Sequence, residues 1–135
     1  MADSFNFELV SPERLLLSAT VTEVVLPGTD GEMTVMANHA PTMTTIKPGV
    51  VTVTTSEGKT DRFVVFGGFA DILPDGCTLL AESAVAVSDI DRDDINRRLQ
   101  DAREDLADAS TDTAKQKAQE YLDQLTTLNG AILPA

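Results

Sequence analysis

Residues 21–53 have the sequence VTEVVLPGTDGEMTVMANHAPTMTTIKPGVVTV, and this stretch decides how the first part of the chain folds. Short runs rich in Val, Ile and Thr alternate here with the turn signals PG at 27, DG at 30 and PG at 48. Further turn signals follow as EGK at 57 and PDG at 74. Turns that recur about every ten residues predict a series of short strands.

Alternation of apolar and polar residues extends this strand pattern in both directions. Phe5, Phe7 and Leu9 alternate with Asn6 and Glu8, which puts each set on one face of a strand. A second alternating set consists of Leu15, Leu17, Ala19 and Val21. The later stretches GVVTVTT, DRFVVFGGFADIL and CTLLAESAVAV are rich in β-branched and aromatic residues and predict several more strands. We therefore expect an all-β sandwich or flattened barrel over residues 1–87.

The pattern changes sharply near residue 88. All five Phe lie before this point, and only Gly130 and Pro134 interrupt the chain after it. Apolar residues then recur at steps of three and four, which predicts two amphipathic helices. The two stripes are Ile95, Leu99, Ala102, Leu106 and Ala109, then Ala114, Ala118, Leu122, Leu125 and Leu128. Because only the short break STDT separates them, we expect an antiparallel helical hairpin over residues 88–135.

Local signals also predict where these helices begin and end. The acids Asp89, Asp91, Asp93 and Asp94 favour the positive end of the first helix and offer an N-cap. Ser110, Thr111 or Asp112 could cap the second helix, and NG at 129–130 predicts its end.

Composition excludes several classes of function. The net charge of −12 argues against nucleic acid as a partner, since neutralising phosphates requires clustered Lys and Arg. No apolar run approaches the roughly 20 residues that span a bilayer, and the N-terminus lacks the basic start of a signal peptide. The single cysteine, Cys77, is predicted to be a buried strand residue. We expect a cytoplasmic protein whose membrane association, if any, is indirect.

The stretch MANHAP at 36–41 contains the only histidine, His39, which is either catalytic or part of a shaped loop. No neighbouring residue completes a recognisable triad or zinc site, so the structural interpretation is favoured. GGF at 67–69 lacks the pattern of a phosphate-binding loop and indicates a close backbone approach or a bulge. The acids at 89–94 lack the glycine and terminal glutamate of a calcium loop, so no metal site is predicted.

Several motifs in series carry a resemblance to a known family: SPE at 11–13, PG, DGE, HAP, KPG, GGF and LAESA. With the terminal helix pair, they make the whole chain similar to the bacterial epsilon subunit of the proton-translocating F-type ATP synthase. The resemblance implies a noncatalytic subunit, without a cofactor, in the central stalk that couples proton flow to ATP synthesis. It implies a peripheral location on the cytoplasmic face of the inner membrane.

The resemblance also implies which residues contact partners. Ser11, His39 and Met43 would contact the gamma subunit, and Glu32 in DGE would lie near the c-ring of the membrane sector. The helical hairpin would reach the alpha and beta subunits transiently and inhibit ATP hydrolysis. No residue is implied to be catalytic.

Two departures from the family bear on the hairpin. Some bacterial members bind ATP at an IDxxRA motif; here Ile90 and Asp91 match, but Asp94 replaces its arginine, so we expect no nucleotide site. The second helix has only Lys115 and Lys117 for contact with acidic catalytic surfaces, so we do not expect strong inhibition.

Three functional hypotheses remain distinguishable by experiment. A rotor subunit would bind gamma and the c-ring without any ATPase activity of its own. A freestanding enzyme or ligand-binding sandwich would instead depend on His39. A purely regulatory chain would change ATP hydrolysis through residues 88–135 alone.

Overall fold

The alternating apolar residues are buried strand positions in the computed structural model, which describes residues 3–132. Phe5, Phe7 and Leu9 are at most 4% exposed, whereas Asn6 and Glu8 are exposed. The strands are β1 (Phe5–Val10), β2 (Leu15–Gly28), β3 (Gly31–Met36), β4 (Thr42–Thr55), β5 (Thr60–Leu73), β6 (Gly76–Ala81) and β7 (Ala84–Ala86).

Hydrogen-bonded pairing closes five of these strands into a ring. Its order is β1–β6–β5–β4–β2, and β2 pairs back with β1. The β1–β6 pair is parallel and the other pairs are antiparallel. Outside the ring, β3 pairs with β2 and β7 pairs with β5. The interior includes Phe7, Leu9, Val21, Val24, Leu26, Val51, Val53, Ile72 and Leu79. The expected sandwich or flattened barrel is therefore confirmed, because the strands enclose one apolar core.

Three of the five turn signals mark real turns, at DG, EGK and PDG. The turns predicted at the two PG pairs are wrong, because Pro27 lies near the end of β2 and Pro48 lies inside β4. Pro48 is tolerated where the β2–β4 register shifts between Val25 and Gly28, so fewer ladder hydrogen bonds are required there. Gly49 is needed because a Cβ at this position would lie 2.5 Å from the Cβ of Pro27. β2 and β4 therefore reach 14 residues each, and β5 has the same length, so these three strands are not short.

The GGF motif produces the predicted close backbone approach. Gly67 and Gly68 have positive φ values of 112° and 138°, which L side chains rarely adopt. A Cβ on Gly68 would clash with the carbonyl oxygen of Leu80 and lie 2.9 Å from the Cα of Ala81. The pairing register on both sides of GGF is continuous, so the alternative of a bulge is wrong.

Cys77 is a buried strand residue in β6, as predicted, with 3% exposure. Burial, aided by the negative charge of Asp71, raises the pKa of its thiol to about 12. The thiol is therefore protonated and unreactive at neutral pH.

The helices are α1 (Arg92–Asp108) and α2 (Asp112–Ile132), and they contact each other. Asp91 caps α1, because its Oδ1 accepts a hydrogen bond of 2.9 Å from the Asp93 amide. Thr111 caps α2, because its Oγ1 accepts a hydrogen bond of 3.0 Å from the Ala114 amide. The two-helix part of the predicted fold is thus confirmed as well.

The apolar stripes are buried most where the two helices lie farthest from their connection. Ile95, Leu99 and Ala102 are buried on α1, as are Leu125 and Leu128 on α2. The remaining stripe residues are half-buried, except the exposed Ala114; they are Leu106, Ala109, Ala118 and Leu122.

The predicted helix end at NG is wrong, since α2 continues to Ile132. The pair NG does not end α2, because this helix is already long and the neighbouring Leu128 is buried. Neither helix of the described residues combines the length with the apolar character that a membrane span requires.

The described residues form two compact units, and the division falls between Val87 and Ser88.

Candidate protein-docking site

Exposed apolar side chains line the outer face of the strand ring. Phe69 on β5 pairs with Leu80 on β6, Leu80 pairs with Val10 on β1, and Val10 pairs with Leu15 on β2. We call these four residues the apolar row. The exposed fractions are 43% for Phe69, 38% for Leu80 and 52% for Leu15, whereas Val10 is half-buried. Register neighbours lie about 5 Å apart, so the row runs across four strands; the β1–β2 register shifts between Leu9 and Val10, and the pair of Val10 with Leu15 lies at that irregularity.

Met43 extends this surface onto β4. Its strand partner is Asp71 on β5, which places Met43 diagonally next to Phe69 and Leu73. Met43 is 68% exposed and Leu73 is 46% exposed. Exposed apolar side chains gathered on one face are typical of protein contact surfaces. We refer to the apolar row together with Met43 and Leu73 as the docking face.

A cavity of about 510 Å³ opens at the apolar row. It forms where β1 ends at Val10 and the chain turns through Ser11 and Pro12, while Gly68 contributes no side chain to fill the space. The turn is fixed by hydrogen bonds in both directions between the backbones of Ser11 and Arg14, of 2.9 and 3.3 Å. The cavity is lined by Val10, Ser11, Pro12, Gly68, Phe69, Leu80, Ala81 and Glu82.

A second cavity of about 380 Å³ lies on the other side of Phe69. It is lined by Met43, Thr44, Thr45, Gly68 and Phe69. Because Gly68 and Phe69 line both cavities, the fold brings Ser11 and Met43 to one face, although they are distant in sequence.

His39 lies in the loop between β3 and β4 and lines neither of these cavities. Its Nδ1 is 2.7 Å from the carbonyl oxygen of Ala40, and its side chain is half-buried. The preceding Asn38 has a positive φ of 66° and donates a backbone hydrogen bond of 2.8 Å to the Pro74 carbonyl oxygen. This loop is therefore shaped and attached to the β5–β6 turn.

Glu32 is exposed at the start of β3, opposite Pro27 in the β2–β3 hairpin. The hairpin turn is attached to β4 by a hydrogen bond of 3.1 Å from the Thr29 amide to the Thr45 carbonyl oxygen. Glu32 is thus separate from the docking face, on a hairpin whose turn is hydrogen-bonded to Thr45, a residue that lines the second cavity.

The residues compared with the IDxxRA motif, Ile90, Asp91 and Asp94, lie at the beginning of α1. Asp91 already serves as the N-cap of the helix, and Ile90 is half-buried before it. The carboxylate of Asp94 lies 3.2 Å from Nε of Arg98 and 3.9 Å from a guanidinium nitrogen of Arg97. Within the described residues, no three or more His, Cys, Asp or Glu side chains are arranged to hold a metal ion.

Sequence reasoning missed the apolar row. One signal for it was present, because the consecutive residues Leu79 and Leu80 cannot both face the core of a strand with a two-residue period. Leu79 is fully buried and Leu80 is exposed. Phe69 was treated only as part of a backbone motif, and its contact with Leu80 depends on strand register.

These features define a class: a β-sandwich with exposed apolar side chains on one face, followed by a helical hairpin. Residues 4–87 match the family model described as ATP synthase, Delta/Epsilon chain, beta-sandwich domain. The chain is 70% identical to the ATP synthase epsilon chain of Mesorhizobium japonicum and 65% identical to that of Sinorhizobium fredii. Both alignments span 135 residues and the full length of both chains. The chain therefore belongs to the family of ATP synthase epsilon chains.

Two solved structures have the same fold. One is a chain of the Euglena gracilis mitochondrial ATP synthase, with a TM-score of 0.76 and 23% identity over 96% of this chain and 82% of that chain. The other belongs to the central stalk and c-ring of the Tetrahymena thermophila mitochondrial ATP synthase. It has a TM-score of 0.75 and 12% identity over 97% of this chain and 98% of that chain.

Proposed function

We propose that the chain is a noncatalytic subunit of the central stalk of a proton-translocating F-type ATP synthase. In this role it turns with the rotor and couples proton flow to the synthesis of ATP from ADP and phosphate. The observation that carries the proposal is full-length identity of 70% to an epsilon chain, together with an exposed apolar docking face. The complex would hold the chain as a peripheral protein at the cytoplasmic face of the bacterial inner membrane.

The docking face is the proposed contact for the gamma subunit. Ser11 and Met43 lie beside its two cavities, and burying Met43, Phe69 and Leu15 would remove apolar surface from water. His39 would contribute from the neighbouring loop, whose backbone is hydrogen-bonded to the β5–β6 turn through Asn38. The contact of its Nδ1 with the carbonyl oxygen of Ala40 orients the imidazole ring within the loop.

Glu32 is the proposed contact for the c-ring. Its exposed carboxylate lies beside the tight turn of the β2–β3 hairpin, so it can approach the polar loops of a membrane protein. The hairpin is held to β4 through Thr29, which would transmit force from the ring to the docking face.

The helical hairpin, residues 88–135, is proposed to be a regulatory segment that reaches the alpha and beta subunits transiently and inhibits hydrolysis weakly. It is proposed not to bind ATP. Asp94, where some family members have arginine, places a negative charge near any phosphate and is already paired with Arg98 at 3.2 Å. Asp91 is engaged as the helix cap.

A binding measurement with purified gamma subunit tests the docking face. Replacing Met43 by Glu should weaken binding by about tenfold or more, because a charge would be buried without a partner. Met36→Glu is the matched control, since Met36 is also exposed, at 57%, but lies on β3 outside the docking face. Binding of the Met36 variant should stay within about twofold of wild type. Equal losses in both variants, or no binding of the wild-type chain, would refute the proposal.

A coupling measurement tests Glu32 separately. In the reassembled complex, Glu32→Lys should reduce ATP-driven proton pumping by about half or more, because the substitution reverses the sign of the charge at the ring contact. Glu57→Lys, at the exposed β4–β5 turn, is the control and should pump normally. Normal pumping by the Glu32 variant would refute its assignment to the c-ring contact.

A further inference from the structure

Two cavities of different character meet at Glu82. The cavity of about 510 Å³ has mostly apolar walls, and among the described residues that line it Glu82 is the one with a charge. A neighbouring cavity of about 250 Å³ is mostly polar and is lined in part by Glu13, Arg14, Glu82 and Ser83. Glu82 therefore forms part of the wall between an apolar and a polar compartment.

The position of the Glu82 side chain is set by the GGF motif. Its backbone amide donates a hydrogen bond of 2.9 Å to the carbonyl oxygen of Gly67. Its carboxylate lies over the same glycine, since a Cβ on Gly67 would be 3.3 Å from Oε2 of Glu82. The glycine thus leaves the space that the carboxylate occupies, and the carboxylate lies at the edge of the apolar cavity.

The Glu82 carboxylate is available to a partner. Within residues 3–130, the ion pairs formed by acidic side chains involve Asp94, and Glu82 is exposed. A carboxylate beside an apolar cavity favours a cation that reaches it from the same binding segment, because nearby apolar contact lowers the local dielectric and strengthens the attraction.

We propose that Glu82 selects a basic residue of the stalk partner. The partner segment would insert an apolar side chain between Val10, Phe69 and Leu80, and place an adjacent Lys or Arg against the Glu82 carboxylate. The identity of that partner as the gamma subunit rests on the proposed function. Glu82 then determines specificity and register, while the apolar row provides most of the buried area.

Titration calorimetry with purified gamma subunit and the full-length chain tests this inference. Glu82→Gln keeps the size of the side chain but removes its charge and replaces one acceptor oxygen by an NH2 donor. It should weaken binding by about tenfold at low salt, and the loss should shrink as salt is raised. Glu57→Gln, which removes a charge at the β4–β5 turn, should bind within about twofold of wild type. The thermal unfolding midpoints of the variants should match that of wild type.

The outcomes separate this inference from the proposed function. Wild-type affinity for Glu82→Gln, with binding lost in Met43→Glu, would overturn the role of Glu82 and leave the docking face intact. A weakened Glu82→Gln whose loss does not change with salt would also overturn the ion pair, since it would indicate a structural effect. Failure of the wild-type chain to bind gamma would overturn both.

Discussion

Gly67 and Gly68 shape the docking face through the backbone alone. Their positive φ values let β5 approach β6 so closely that a side chain on Gly68 would meet the Leu80 carbonyl oxygen. The same approach leaves the space between Phe69 and Val10 that forms the cavity of about 510 Å³. At this scale, a missing side chain matters as much as the apolar residues that are present.

Gly68→Ala should therefore be strongly destabilising. The added Cβ meets backbone atoms that cannot move aside, and φ is unfavourable, so the free energy of unfolding should fall by about 3 kcal/mol. Gly58 is the matched control, because its φ is 87° but no atom lies within 4 Å of an added Cβ. Gly58→Ala should cost only about 1 kcal/mol. Urea denaturation followed by circular dichroism measures both values, and equal losses would contradict the close-approach argument.

Elements whose pattern is local were predictable from sequence. Phe5, Phe7 and Leu9 reveal a buried strand face because period two is visible within six residues. The stripe from Ile95 to Ala102 reveals α1 in the same way. Pro48 was assigned to a turn because the pair PG is the same local signal in two settings. It occurs in turns, and it also occurs in a strand where the ladder to the neighbouring strand is irregular. The irregularity arises only in the pairing of β4 with β2, where the stretch from Ile46 to Thr52 lies opposite the shorter stretch from Val25 to Gly28.

The docking face could be predicted only in part, for a related reason. Ser11 and Met43 were predicted to be contact residues from the family resemblance, and the fold brings them to neighbouring cavities. Their link through Phe69 and Leu80 depends on the pairing of β4, β5, β6 and β1. Strand order and register are set by the whole core, so no local pattern reveals which exposed residues become neighbours.

The first turn of α1 should not bind ATP. A nucleotide that bound the folded chain would raise its thermal unfolding midpoint by mass action. We expect about 1 mM MgATP to shift that midpoint by less than about 1 °C, because the carboxylate of Asp94 repels phosphate. Magnesium tripolyphosphate at the same concentration controls for a general effect of polyanions. A rise of several degrees with MgATP alone would contradict the expectation.

Across the whole molecule, charge distinguishes the two proposed roles. The net charge of −12 suits partners with basic surfaces, such as the one inferred for the docking face. The second helix, in contrast, would need a positive surface to hold acidic catalytic subunits. Its charged residues are Asp112, Lys115, Lys117, Glu120 and Asp123, so three acids against two lysines leave a net charge of −1.

Removing the two lysines should consequently change ATP hydrolysis very little. In the assembled complex, the double variant Lys115→Glu and Lys117→Glu should raise the hydrolysis rate by less than about fivefold, because exposed ion pairs contribute about 1 kcal/mol or less. A double charge reversal at Lys59 and Arg62, both exposed on the sandwich, controls for the change in total charge. This control should leave the rate at its wild-type value, since neither residue lies on the hairpin. A rise of tenfold or more in the hairpin variant alone would instead show that these lysines hold the complex in an inhibited state.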